Sequence, residues 1–165
     1  MLASNLEVVE RRIRALSYEH AYAFAADGTL ILDTTDFAPA SIGFTADQLS
    51  LLRNASLTHN HPGGRSLSQN DVFLAMEADL AQIRAVTASH RFWINRPLQG
   101  WTPDYQKRVR TAITAEKGLL IRHLERDISG GRISPEAANR GFHHLLWSNL
   151  ASRGVVRYAH GPWED

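Results

Sequence analysis

The stretch LTHNHPGGRSLSQNDVF, residues 57–73, decides how this chain is read. Residues i and i+2 of a strand face the same way, so His59 and His61 project together while Asn60 points elsewhere. Pro62, Gly63 and Gly64 form a turn, and Ser68 opens a helix whose first turn holds Asp71. The Gly-Gly turn lets that helix fold back over the strand end and bring the carboxylate to the imidazoles. Two histidines, one carboxylate and one open position make a catalytic zinc arrangement. Ser-x-x-Asp ahead of an apolar run is also a helix capping-box spacing. The two roles are compatible, because Ser68 can cap while Asp71 points at a metal. A lone His-x-His pair is more often structural, and it is the whole string that points to a cation.

Working outward, residues 4–16 form an amphipathic helix with Leu6, Val9, Ile13 and Leu16 at helical spacing and Ser4 or Asn5 as cap. The period then changes. In YEHAYAF, residues 18–24, Tyr18, His20, Tyr22 and Phe24 take one side and Glu19, Ala21 and Ala23 the other, a strand with a bulky and a small face. Asp27-Gly28 turns a hairpin into TLILDT, residues 29–34. A short helix capped by Thr45 leads into the strand ASLTHNH, residues 55–61. A helix of about three turns runs from Ser68 through Leu80, followed by two strands, residues 82–89 and 91–96, around a turn near Ser89 and His90. Beyond Pro97 the pattern is helical. Thr102 caps and Pro103 begins a helix that Gly130-Gly131 stops, and Ser134 and Pro135 begin another that Gly154 stops. Residues 155–161 add a last strand. The expected organisation is one α+β domain over 1–165, with a core at about 4–97 and a C-terminal helical layer at about 98–165 on the same core.

Composition narrows the function classes. The 165 residues are 44% hydrophobic and 21% charged, with no cysteine and a net charge of +1. A thiolate site, a disulfide framework and a cysteine nucleophile are therefore excluded. The balanced charge gives no reason to expect a nucleic-acid partner. No apolar run is long enough to span a bilayer and the first residues carry no secretory signal pattern, so no membrane partner is expected. The expected compartment is the cytoplasm, unless a phage or a secretion system delivers the chain.

His-x-His-Pro, Gly-Gly and Ser-x-x-Asp together resemble the JAMM (MPN-plus, JAB-type) metalloprotease motif. The HNHPxG form is similar to bacterial RadC-like proteins and to JAB-like domains of phage head-morphogenesis proteins and polymorphic toxins. The resemblance covers roughly residues 17–96, with the segment Pro62–Leu67 one residue shorter than in most members. It implies a deaminase-like α/β/α sandwich, a mixed sheet flanked by helices. It implies Zn2+ held by His59, His61 and Asp71, Ser68 as hydrogen-bond donor to a developing oxyanion, and an early-strand glutamate as general base. Glu7 and Glu10 sit on or near the charged face of the first helix. Glu19, on the small face of the first strand beside Ala21 and Ala23, has room for a water and is the best candidate. The implied reaction is hydrolysis of a peptide or isopeptide bond in a protein or peptide substrate by metal-activated water.

Two readings from other classes compete: a non-catalytic MPN-like scaffold or phage- or toxin-associated assembly module, and a metal-dependent nuclease suggested by the string HNH. The nuclease would require a further upstream histidine, a more basic surface and a different ββα spacing. The adjacent His143 and His144 lie about 100° apart on a helix and are read as structural. His20 is expected to be packed, and His90 and His160 exposed. Trp93, Trp101, Trp147 and Trp163 are expected mostly in the core or at an interface.

Overall fold

The structure, a computed structural model, describes residues 1–163. Helix α1 (Leu2–Ile13) buries Leu6, Val9, Glu10 and Ile13, one stripe of its surface. Strands β1 (Ala21–Phe24) and β2 (Leu30–Thr34) form a hairpin, and α2 (Ala46–Leu51) follows an irregular segment. Strand β3 (Ser56–Asn60) leads to α3 (Gln69–Glu77), then β4 (Gln82–Val86) and β5 (His90–Asn95). The long helices α4 (Pro103–Ser129) and α5 (Pro135–Ser152) precede the last strand, β6 (Arg157–Pro162). Thr45, Ser68, Thr102 and Ser134 all cap their helices through side-chain oxygens, as their spacing predicts. No helix among the described residues is long and apolar enough to cross a membrane.

The six strands make one mixed sheet in the order β2-β1-β3-β4-β5-β6. Only β3 and β4 pair in parallel, as two strands joined by a crossover helix can. One face carries Tyr22, Phe24 and Val86, which pack with Leu6, Val9 and Ile13 of α1 and with Trp163. The other presents Ala21, Ala23, Leu57, Ile83, Ala85, Phe92 and Ile94 to a cluster that includes Val72, Met76, Val109, Ile113, Leu146 and Trp147. The molecule is thus α+β in three layers. Residues beyond Pro97 share that larger core. The indole of Trp147 donates to the Leu67 carbonyl at 2.7 Å, and that of Trp101 to the Leu80 carbonyl at 2.9 Å.

Several local expectations are corrected. Helix α1 starts at Leu2 with Met1 at its N-cap and no side-chain cap, and Asn5, inside the helix, donates its side-chain amide to the Gly28 carbonyl at 2.9 Å. Glu10 does not lie on a charged face. It is fully buried against the sheet, ion-paired with Arg84 and accepting from the Thr58 hydroxyl at 2.9 Å. The first strand begins at Ala21 rather than Tyr18, so Glu19 is not a strand residue. The Tyr18 carbonyl and the His20 N–H bond to the Asn60 side chain, and the Glu19 backbone to Ala38 and Thr35, instead of to a sheet ladder.

Candidate metal centre

The site lies at the carboxyl end of β3, next to the parallel pair, where open α/β sheets leave a crevice. His59 is the penultimate residue of β3 and is paired in register with Ala21 of β1 and Ala85 of β4. Both neighbours are alanines, so the imidazole has space on the sheet surface. His61 lies one residue beyond the strand, held by its N–H to the Val86 carbonyl at 2.8 Å. Its Nδ1 faces the Arg65 carbonyl at 3.1 Å, which assigns the proton to Nδ1 and leaves the Nε2 lone pair free.

The three side chains converge. His59 Nε2 and His61 Nε2 are 2.9 Å apart, Asp71 Oδ1 is 3.3 Å from His59 Nε2, and Asp71 Oδ2 is 3.5 Å from His61 Nε2. Ligands of a tetrahedral zinc at ~2.0–2.1 Å stand about 3.4 Å from one another, so these spacings fit a single cation. This is the one group of three or more His, Asp or Glu side chains among the described residues arranged to hold a metal. Nδ1 of His59 is buried without a well-formed hydrogen bond, although the Arg84 carbonyl favours its protonated form.

Asp71 serves two ends at once. Its Oδ2 accepts from the Ser68 N–H at 2.5 Å, and its own N–H donates to Ser68 Oγ at 3.1 Å, a complete capping box. The cap fixes the carboxylate while Oδ1 faces His59. Ser68 Oγ accepts in the cap, which leaves its O–H free to donate. Between His61 and Ser68 the turn needs a glycine at Gly64, whose φ is +72°. Gly63 has no such constraint, and a Cβ there would meet no atom, in open space bordering the cavity.

Electrostatics separate the two histidines. Burial works against a charged His59, but Asp71 and Glu19 outweigh it and raise its pKa. Burial, aided by the His59 charge, pushes His61 down to about 4. Burial would raise Asp71, yet His59, His61 and the Ser68 hydrogen bond hold its carboxyl well below the usual range. The charged form is thus favoured at His59 and at the Asp71 carboxylate and disfavoured at His61.

Glu19 is 8% exposed and lines the same cavity as His61, Ser68 and Asp71. Burial raises its pKa, with Asp71 adding to the rise and His59 opposing it. Its backbone is clamped by the 35–45 segment: the Glu19 N–H donates to the Ala38 carbonyl at 2.8 Å and its carbonyl accepts from the Thr35 hydroxyl at 2.6 Å. Glu7 is exposed and paired with Arg11, and Glu10 is buried on the far face of the sheet, so Glu19 is the only one of the three candidates that reaches the site. Two contributors escaped the sequence reading. Asn60, expected only to point away from the two histidines, holds the segment around Glu19. His143, read as structural, lines the cavity, while His144 bonds to the Tyr158 hydroxyl at 2.8 Å. A helix of eighteen residues separated from the motif by more than sixty gives no local signal that one of its histidines returns to it.

No family model, curated protein or solved structure matches the chain.

Proposed function

We propose that this chain is a zinc-dependent hydrolase of JAMM type that cuts a peptide or isopeptide bond. The observation that carries the reading is the convergence of His59, His61 and Asp71 at tetrahedral ligand spacing, with the Glu19 carboxylate in the same cavity. The three-layer arrangement around a mixed sheet supports the deaminase-like fold that the motif implies.

His59, His61 and Asp71 would hold the ion, which supplies Lewis acidity and lowers the pKa of a water toward ~7. Glu19 accepts a proton from the attacking water and passes it to the leaving amine nitrogen. Burial has moved its pKa upward, in the direction that suits a base working near neutral pH. The Ser68 hydroxyl, held in place by the Asp71 N–H, donates to the substrate carbonyl oxygen as negative charge gathers there. Asp71 remains ionised throughout, fixed by the Ser68 backbone amide.

The test begins with elemental analysis of protein purified without chelator, which should give near one equivalent of zinc. The zinc-loaded chain is then offered peptide and isopeptide conjugates. Cleavage that disappears with the metal in His59→Ala supports the hydrolase. A full complement of zinc with no amide cleaved across the panel favours the assembly-module reading, and no bound metal defeats the proposal outright.

A further inference from the structure

The cavity at the site has two unlike arms that meet at the triad. The larger, about 420 Å3, lies on the His61 side, where the polar side chains of Arg65, Ser66, Ser68 and His143 line it together with Pro39, Ala40 and Ile42. The smaller, about 240 Å3, lies on the His59 side, and its walls include Ile42, Phe44, Leu57 and Leu74. Glu19, Ile42, Asn70 and Asp71 border both arms, so the reacting groups stand at the waist between them.

The two arms differ in charge as well as polarity. Arg65 forms no ion pair among the described residues and is exposed at the mouth of the polar arm. The Lys117 ammonium reaches only the Gln69 side-chain amide oxygen, at 3.1 Å. Both cations act on His143, whose pKa is lowered by burial first and by these charges after it, against the pull of Asp71. A carboxylate entering this arm would meet the Arg65 guanidinium, which has no anionic partner among the described residues. No lysine or arginine lines the apolar arm, and its volume suits one side chain of leucine or phenylalanine size.

From this pairing we propose that the cleft selects an amide with a medium-sized apolar side chain on one flank and a carboxylate on the other. The inference rests on the hydrolase reading and names the substrate class of that same site. Ile42 and Phe44 belong to the segment that also clamps the Glu19 backbone, so the wall that senses the apolar side chain is continuous with the support of the base.

The experiment uses the full zinc-loaded chain and labelled tetrapeptides. One carries leucine beside aspartate; others replace the leucine by alanine, replace the aspartate by lysine, or supply the carboxylate only as a free C-terminus. Dissociation constants are read by fluorescence anisotropy, and kcat/KM is read wherever a peptide is cut. The leucine-aspartate peptide should bind best. Loss of the leucine should cost roughly 10-fold or more, the discrimination one apolar pocket supplies. Exchange of the acid for lysine should cost roughly 5-fold, the scale of a solvent-facing ion pair. Arg65→Glu should reverse the acid-over-lysine order, and Phe44→Ala should erase the leucine preference. The free-terminus peptide shows whether a chain end serves as well as a side chain. Binding with these preferences but no cleavage keeps the inference and defeats the hydrolase; cleavage without them does the reverse. No measurable binding, or an acid preference unmoved by Arg65→Glu, overturns the inference.

Discussion

Asn60 grips the chain on both sides of Glu19. Its side-chain amide donates to the Tyr18 carbonyl at 2.9 Å, and its side-chain oxygen accepts from the His20 N–H at 2.8 Å. The residue between the two histidines faces the opposite side of the sheet from them. It nevertheless sets the position of the carboxylate that completes their site.

Asn60→Ala should therefore separate positioning from metal binding. Asn60 is fully buried, so the substitution leaves a backbone donor and an acceptor without their partner, a loss of about 1–3 kcal/mol. His59 is held by β3 and His61 by its own hydrogen bonds, so zinc content should be unchanged. Turnover should fall because Glu19 is no longer fixed. Denaturant unfolding, elemental analysis and kcat check the three parts. Full activity in a destabilised variant would show that Asn60 supports only the fold.

The pH dependence of the metal-free chain follows from the two histidines. His61, pushed down to about 4, binds fewer protons folded than unfolded between that value and its ordinary ~6.5. Its contribution is present above the upper value and lost as the pH falls. His59 is raised, so its contribution is present below ~6.5 and lost as the pH rises through its folded pKa. The pair should therefore add most stability near pH 6.5. Subtracting the unfolding profile of the double variant His59→Ala, His61→Ala isolates the effect. Zinc should remove the alkaline loss, since binding requires a neutral His59. A difference profile flat from pH 4 to pH 8 would contradict the assigned directions.

Much of this architecture was legible because its signals are local. The caps at Thr45, Ser68, Thr102 and Ser134 and the hairpin at Gly28 are each written within a few residues. The converging group was legible for the same reason, as His59, His61 and Asp71 fall within thirteen consecutive residues. What was not legible depends on distant partners. Glu10 reads as one more charge on a helix until Arg84 and Thr58, far along the chain, arrive to bury it. Residues 18–20 alternate like a strand, but the Asn60 side chain, forty residues away, takes the Tyr18 carbonyl and the His20 N–H, and Ala38 and Thr35 take the Glu19 backbone.

Truncation after Pro97 should abolish cooperative folding. It would uncover the sheet face now packed against Val109, Ile113, Leu146 and Trp147 and strip β6 from β5. It would also leave the Leu67 and Leu80 carbonyls without their indole donors. Residues 1–97 should give a broad, non-cooperative unfolding curve with exposed apolar surface. A sharp transition at the full-length midpoint would show that the two parts fold independently.

Glu19→Gln tests the chemistry most directly. Glu19 lines the cavity beside Asp71 but is not one of the three converging ligands, so its removal should leave the metal in place. Glutamine keeps the size of the side chain and its hydrogen-bonding capacity but cannot accept the proton. The Glu19 backbone bonds to Ala38 and Thr35 do not involve the side chain and should survive, preserving the 35–45 wall. Burial disfavours the charged carboxylate, so the neutral amide should hold or raise the unfolding midpoint at neutral pH. Turnover on any cleaved amide should fall roughly 10²–10⁴-fold, the usual share of general acid–base catalysis. The acidic limb of the kcat/KM profile set by Glu19 should vanish with it. His59→Ala should lose both metal and activity, which separates a missing base from a missing ion. Wild-type cleavage by a zinc-replete Glu19→Gln would remove Glu19 from the mechanism. Glu7 and Glu10 could not take its place, one paired with Arg11 in solvent and the other buried with Arg84 beneath the sheet.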